Sequence, residues 1–219
     1  MRINTNKLAY ALGALLLGYF GTGRVQALSL TYTGMFLADS QVNPYSFSIP
    51  TRQTLDFFTT SYAGGRNLDG TISQKGGFVP SLTLFSVNTG SVVECGAAGL
   101  TCSGTAMGPT NVDPITKTAD DVNFTVTLNA GSYLLDLAEF PNVAIGGIND
   151  GFLTSVDSTL FSDACGAGTF LEADTAPCAQ RNGNFALNVG SVPEPATFWL
   201  ALPIVAFGVI SRKRSFARS

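Results

Sequence analysis

Of the chain's 219 residues only 12% are charged, while 24 are glycine, a balance that suits strands and turns and fits a charged, helix-rich protein badly. The formal net charge of -3 hides a division: seven of the 12 basic residues (Arg2, Lys7, Arg24, Arg212, Lys213, Arg214, Arg218) stand at the two ends. Residues 28–195 keep five against all 15 acidic residues, a net of -10. A body of that sign repels phosphate backbones, so nucleic acid is not expected as a partner, whereas cations and basic partners are compatible with it.

Residues 1–27 read as a signal peptide. Arg2 and Lys7 form a basic start, residues 8–20 are apolar, and Val25-Gln26-Ala27 supplies small residues where a signal peptidase cuts, placing cleavage after Ala27. The alternative is an uncleaved anchor, for which the apolar run is short of the roughly 20 residues a membrane helix needs.

Between residues 28 and 190, short runs with period-two alternation are bounded by Gly, Asn, Asp and Pro, the pattern of antiparallel strands. Residues 28–36 open the body. Residues 45–49 and 54–62 flank Pro50-Thr51-Arg52-Gln53, which reads as a hairpin connection. Residues 63–80 form a long Gly-rich excursion, expected as a surface loop. Residues 82–87 and 91–94 are joined by Asn88-Thr89-Gly90. Residues 122–128 and 132–140 are joined in the same manner by Asn129-Ala130-Gly131. Weaker strands are expected at 152–154 and 158–161, and residues 185–189 close the body. Eight or nine such strands predict an all-β fold, an antiparallel two-sheet sandwich of jelly-roll type. Phe47, Phe57, Leu84, Phe124, Val126, Tyr133, Leu135, Leu137 and Phe185 are the expected inward positions.

Four cysteines, Cys95, Cys102, Cys165 and Cys178, allow three pairings, and in an exported chain disulfides are the first reading. The sequential pairs are favoured because each closes a short Gly-rich loop. Zinc is disfavoured: no pair has the gap of roughly two to four residues usual for that metal, and the chain has no histidine.

The tail, residues 191–219, begins Ser191-Val192-Pro193-Glu194-Pro195. It continues through residues 196–210 without a charge and ends on Ser211-Arg212-Lys213-Arg214 and a short remainder. Apolar all round, the segment suits a helix in lipid. At about 1.5 Å per residue it is short for a hydrocarbon core of about 30 Å, and Pro203 interrupts it. Arg212, Lys213 and Arg214 should stay cytoplasmic, leaving the acidic body on the other side.

That order of Pro-Glu-Pro, apolar helix and basic cluster resembles the PEP-CTERM sorting tail of Gram-negative bacteria, over about the last 29 residues. The resemblance implies processing by an exosortase, with Pro193, Glu194 and Pro195 as the recognition motif. It also implies a cell-surface or matrix setting rich in exopolysaccharide, often a biofilm. The body looks like the bacterial pre-peptidase C-terminal domain through Tyr45-Ser46-Phe47-Ser48-Ile49, Gly77-Phe78-Val79-Pro80-Ser81-Leu82-Thr83-Leu84-Phe85 and Leu128-Asn129-Ala130-Gly131-Ser132-Tyr133-Leu134-Leu135. That likeness implies a β-sandwich and says little about function.

The lack of histidine removes the commonest general base and the Ser-His-Asp and Cys-His arrangements. Asp120 with Asp121, or Asp136 with Glu139, are carboxylate pairs that a glycosidase would need. Adjacent strand residues point to opposite faces, so solvated loop acids are the better reading and no catalytic residue is assigned. No cofactor is assigned, though calcium on Asp113, Asp120 and Asp121 is compatible with loop oxygen ligands. The excursion bearing Tyr62, Arg66, Asn67 and Asp69 offers stacking and hydrogen bonds to a sugar, and Arg181-Asn182-Gly183-Asn184 reads as a turn. The expectation is an exported structural or adhesive protein, with a carbohydrate-binding module second and a secreted hydrolase third.

Overall fold

The computed structural model describes residues 27–97, 100–102, 107–153, 165, 168–172 and 178–193. Residues 1–26 of the expected signal peptide 1–27, the expected strand at 158–161, and Glu194, Pro195, Arg212, Lys213 and Arg214 lie outside the described residues. Pro193 is exposed at their C-terminal limit. No helix among the described residues is long and apolar enough to cross a membrane.

Among the described residues thirteen strands follow one another: β1 (Ser29–Met35), β2 (Val42–Ile49), β3 (Gln53–Thr59), β4 (Gly65–Arg66), β5 (Ile72–Ser73), β6 (Pro80–Ser86), β7 (Val92–Ala97), β8 (Leu100–Thr101), β9 (Asn123–Leu128), β10 (Gly131–Glu139), β11 (Leu171–Glu172), β12 (Ala179–Gln180) and β13 (Asn184–Ser191). One sheet runs β1-β13-β3-β9 and the other β2-β10-β6-β7-β8, with every pairing antiparallel. The chain is thus an all-β sandwich of two antiparallel sheets.

Alternation decides which side chains meet between the sheets. Along β3, Leu55, Phe57 and Thr59 are buried while Thr54, Asp56 and Phe58 are only half-buried. Eight of the nine expected inward residues are buried in one cluster, and Val126 packs against it partly buried. Phe47 of β2 and Phe57 of β3 lie 6.1 Å apart between ring centres across the two sheets, and Phe57 stacks on Phe124 at 5.3 Å. Each such side chain contributes about 1.5–3 kcal/mol by leaving water, which makes this cluster the main source of cohesion.

Two expected hairpins are not hairpins. The strands flanking Pro50-Thr51-Arg52-Gln53 belong to different sheets, since β2 pairs with β10 whereas β3 pairs with β13 and β9. Asn129-Ala130-Gly131 likewise carries the chain from β9 in one sheet to β10 in the other. Asn88-Thr89-Gly90 does join a true hairpin, β6 to β7, with Gly90 at φ +70° and its N–H bonded to the Ser86 carbonyl. Of the expected strand at 152–154, residue 154 lies outside the described residues, and Phe152 makes an isolated bridge to Ala144. The excursion 63–80 is not a loose loop, because β4 and β5 pair within it and it packs on the sheet.

The cysteines bond in sequence, Cys95 with Cys102 and Cys165 with Cys178, at Cα separations of 5.2 and 6.0 Å. The first staples β7 to the end of β8, where Cys102 N–H also bonds the Cys95 carbonyl.

Candidate functional site

The outer face of the β1-β13-β3-β9 sheet carries the sandwich's polar relief. Its centre is Asn188 of β13, fully buried because the β4–β5 hairpin folds over it. Leu68 N–H donates to Asn188 Oδ1 at 3.0 Å, and Asn188 Nδ2 donates to Asn67 Oδ1 at 3.0 Å. Thr60 hydroxyl donates to the same Asn67 oxygen at 2.7 Å. Gly190, next on that face, allows the close approach: a Cβ there would stand 3.0 Å from the Leu68 side chain.

This hairpin divides the face into two clefts. The one towards β9 holds about 350 Å³ and is lined by Asp56, Phe58, Thr59, Thr60, Arg66, Pro109, Thr110, Asn111 and Asn123. Asp56 and Phe58 reach it because their neighbours Leu55 and Phe57 take the inward positions. Thr125 hydroxyl donates to Asp56 at 3.1 Å; burial pushes the Asp56 pKa up, only partly offset by that bond. Asn111 closes the rim by donating to the Gly64 carbonyl at 2.7 Å, and Arg66 is exposed. The cleft towards β1 holds about 460 Å³ between the hairpin and Thr33, Gly34, Asn184 and Phe185. Its residues are mostly hydroxyls and amides.

The sugar-facing residues expected from the sequence are placed differently. Tyr62 is fully buried and cannot stack on a ligand, and Asn67 is committed to Thr60, Thr71, Ser73 and Asn188. Asp69 holds its own turn, accepting from Thr71 N–H at 2.9 Å. Arg66 alone of the four stands exposed in the first cleft; the aromatic there is Phe58. Two adjacent phenylalanines on one strand must face opposite ways, and that was the available signal for Phe58.

The three candidate calcium ligands, Asp113, Asp120 and Asp121, are placed as follows. Asp121, 1% exposed, accepts from Thr59 hydroxyl and from the N–H groups of Ser61, Tyr62 and Ala63, so it holds the turn leaving β3. Burial raises its pKa and those four donors pull it back down in part. Asp113 is ion-paired with Arg181, and Asp120 accepts from Thr118 hydroxyl at 2.6 Å. The three therefore share no ligand shell, which corrects the calcium expectation at that place. Among the described residues there is no cluster of three or more His, Cys, Asp or Glu suited to a metal.

Arg181 is the residue that the turn reading missed. It is 4% exposed, pairs with Asp113 through Nη1 and with Glu172 through Nε at 2.6 Å, and lies 4.0 Å from the centre of the Tyr62 ring. The Tyr62 hydroxyl in turn donates to Glu172. Burial works against the Arg181 charge, but its two carboxylate partners more than compensate and raise its pKa. Burial raises the Asp113 pKa, yet the Ile115 N–H and Arg181 leave it lowered overall. This network pins the 107–118 segment, β11 and the residues before β13 to one another. Its members neutralise one another's charges through direct hydrogen bonds, and it reads as a structural clasp.

No protein-family model and no curated protein matches the chain. Among solved structures it is similar to the pre-peptidase C-terminal domain of collagenase from Bacillus anthracis, at 10% identity over 74% of this chain and 89% of that one, with a TM-score of 0.37. A likeness this distant leaves the architecture resting on the strand pairings alone.

Proposed function

We propose that the chain is an exported cell-surface or matrix protein with a structural or adhesive role, not an enzyme, processed by signal peptidase and an exosortase and associated with exopolysaccharide. The observation that carries this reading is a sandwich closed by two disulfides, which belongs in an oxidising compartment. The tail from Ser191 to the Arg212-Lys213-Arg214 cluster supplies the route there and the membrane contact on the way. The body, residues 28–190, is read as a jelly roll: its eight long strands pair first with last, second with seventh, third with sixth and fourth with fifth. Mass spectrometry of the protein from its native cells tests the route. A mature form starting at Leu28 and lacking the residues beyond Pro-Glu-Pro is expected; one ending at Ser219 on the cell surface would defeat it.

A second reading, carbohydrate binding, is favoured by the cleft of Asp56, Phe58, Arg66, Asn111 and Asn123, which offers one aromatic face among amide, carboxylate and guanidinium groups. Glycan-array binding that disappears in Phe58→Ala and persists in Ile72→Ala supports it. Equal binding by both variants counts against it.

A further inference from the structure

Among the described residues the two main sheets end on β1, β9, β2 and β8, and an edge strand left open is a template for another chain. β8 is two residues long and stapled to β7 by the Cys95–Cys102 bond. β9 is covered at Asn123, whose carbonyl accepts the Gly108 N–H at 2.9 Å. β2 carries an exposed Pro44, which has no N–H to offer. β1, Ser29-Leu30-Thr31-Tyr32-Thr33-Gly34-Met35, has neither such cover, nor a proline, nor a charge.

Its pairing with β13 decides which of its backbone groups look outward. Ser191 N–H bonds the Leu28 carbonyl and Phe36 N–H bonds the Gly183 carbonyl, both at 2.8 Å, so in that register Leu30, Tyr32 and Gly34 exchange bonds with β13. The N–H and carbonyl groups of Ser29, Thr31, Thr33 and Met35 point the other way, where no described strand lies. Apolar side chains gather on the same flank. Tyr32 and Tyr45 of β2 are half-buried with ring centres 4.3 Å apart on the inner side. On the outer side Met35 is 58% exposed; Leu68, also exposed, lies over Gly190, the register partner of Ser29, and exposed Ile72 lies across the cleft from Thr33.

We propose that β1 pairs antiparallel with β1 of a second copy about a twofold axis at Tyr32, joining their four-stranded sheets into one. In this register Thr31 faces Thr33 of the copy and Ser29 faces Met35, so all four outward residues exchange both of their bonds. A slip by one residue sets outward groups against inward ones, and a slip by two leaves some unpaired. Met35 of the copy arrives at the Ser29 end, where Leu68 is exposed, and the Tyr32 rings meet on the inner side. Charge favours a copy of the chain over a basic partner. The body has a net charge of -10 but residues 29–35 hold none of it, so two acidic bodies meet through uncharged edges, whereas a basic partner finds no carboxylate on this strand.

The test uses the full-length chain in detergent, followed by sedimentation equilibrium over a concentration series and by amide exchange read residue by residue. A reversible monomer–dimer equilibrium is expected. As dimer accumulates, exchange at the Thr31, Thr33 and Met35 amides should slow by about tenfold, while Leu30 and Tyr32, already bonded to β13, change little. Thr33→Lys, at an exposed position, sets like charges diagonally across the axis and should weaken the dimer by about tenfold with the melting transition of the monomer unmoved. A mass that stays monomeric at every concentration would overturn the proposal. So would a dimer whose Thr31, Thr33 and Met35 amides exchange as fast as in the monomer, which assigns association to the apolar tail, or a Thr33→Lys variant that associates as the parent does.

Discussion

Arg181 satisfies two buried carboxylates at once, and a side chain in that position is worth most for what its removal leaves behind. Replacing it with Met strands Asp113 and Glu172 as uncompensated buried charges, so Arg181→Met should cost about 3–5 kcal/mol in urea unfolding. The triple variant Asp113→Asn, Arg181→Met, Glu172→Gln should recover most of that loss, since the cost lies in the orphaned charges and not in the missing attraction. Asp136 makes the opposite case. It is 7% exposed, its Oδ1 has no partner, and burial pushes its pKa up to about 6 from 3.8. The folded chain therefore holds this proton more tightly than the unfolded chain: stability from this group is full below pH 4, falls as pH rises to 6, and stays low above. Asp136→Asn should gain about 1–3 kcal/mol at pH 7 and little at pH 4, measured by urea unfolding at both. Neither environment was legible in the residues themselves. Arg181 sits in Arg181-Asn182-Gly183-Asn184, whose local chemistry says turn, and its partners lie 68 and 9 residues away. Tyr62 was misplaced for the same reason: at the end of a strand beside glycines it looks available, and only its tertiary neighbours bury it.

Strands were legible where alternation is strong, and their partners were not. Residues 28–36, 82–87 and 185–189 fall within two residues of β1, β6 and β13, because a half-buried strand writes its burial pattern into consecutive side chains. Whether a short connection folds two strands onto each other or carries the chain to the facing sheet depends on which distant strand each one meets. Asn129-Ala130-Gly131 looks like Asn88-Thr89-Gly90 in composition, but Gly131 lies in regular β10 pairing with Ile49, while Gly90 takes the positive φ of a tight turn. The decisive contact for the last strand is equally silent in local sequence. Gly183, just before β13, passes so close to β1 that a Cβ would meet the Phe36 carbonyl oxygen at 2.1 Å, and its own carbonyl accepts the Phe36 N–H at 2.8 Å. Backbone cannot yield as a side-chain tip can, so Gly183→Ala should cost more than about 2 kcal/mol by separating β1 from β13. Hydrogen exchange should show the loss at the amides of β1 first, with β6 and β10 protected as before.

Across the whole molecule, the first and last strands of the body lie side by side, and this brings its two ends to one place. Ser29 is opposite Gly190 in the register; Leu28 N–H donates to Ser191 Oγ at 2.7 Å, and Ser191 N–H returns a bond to the Leu28 carbonyl at 2.8 Å. The expected cleavage point after Ala27 and the start of the expected sorting tail therefore meet at the same edge, and Ser191 hydroxyl also reaches Gln53 at 3.0 Å to fix that edge to β3. Ends held this close make the order of strands along the chain separable from their order in space. A permutant joining Ser191 to Leu28 through a linker of about four glycine and serine residues, and opened between the exposed Asn88 and Thr89, should keep the core, both disulfides and a cooperative melt. Its refolding should slow, because the β6–β7 pairing turns from local to distant and must close a long loop. A second permutant opened between Leu135 and Asp136, inside the strand that pairs with both β2 and β6, should fail to fold, since it breaks the centre of one sheet. If the first permutant melted without cooperativity while the second folded, cohesion would reside in chain order and not in the paired ends and shared core.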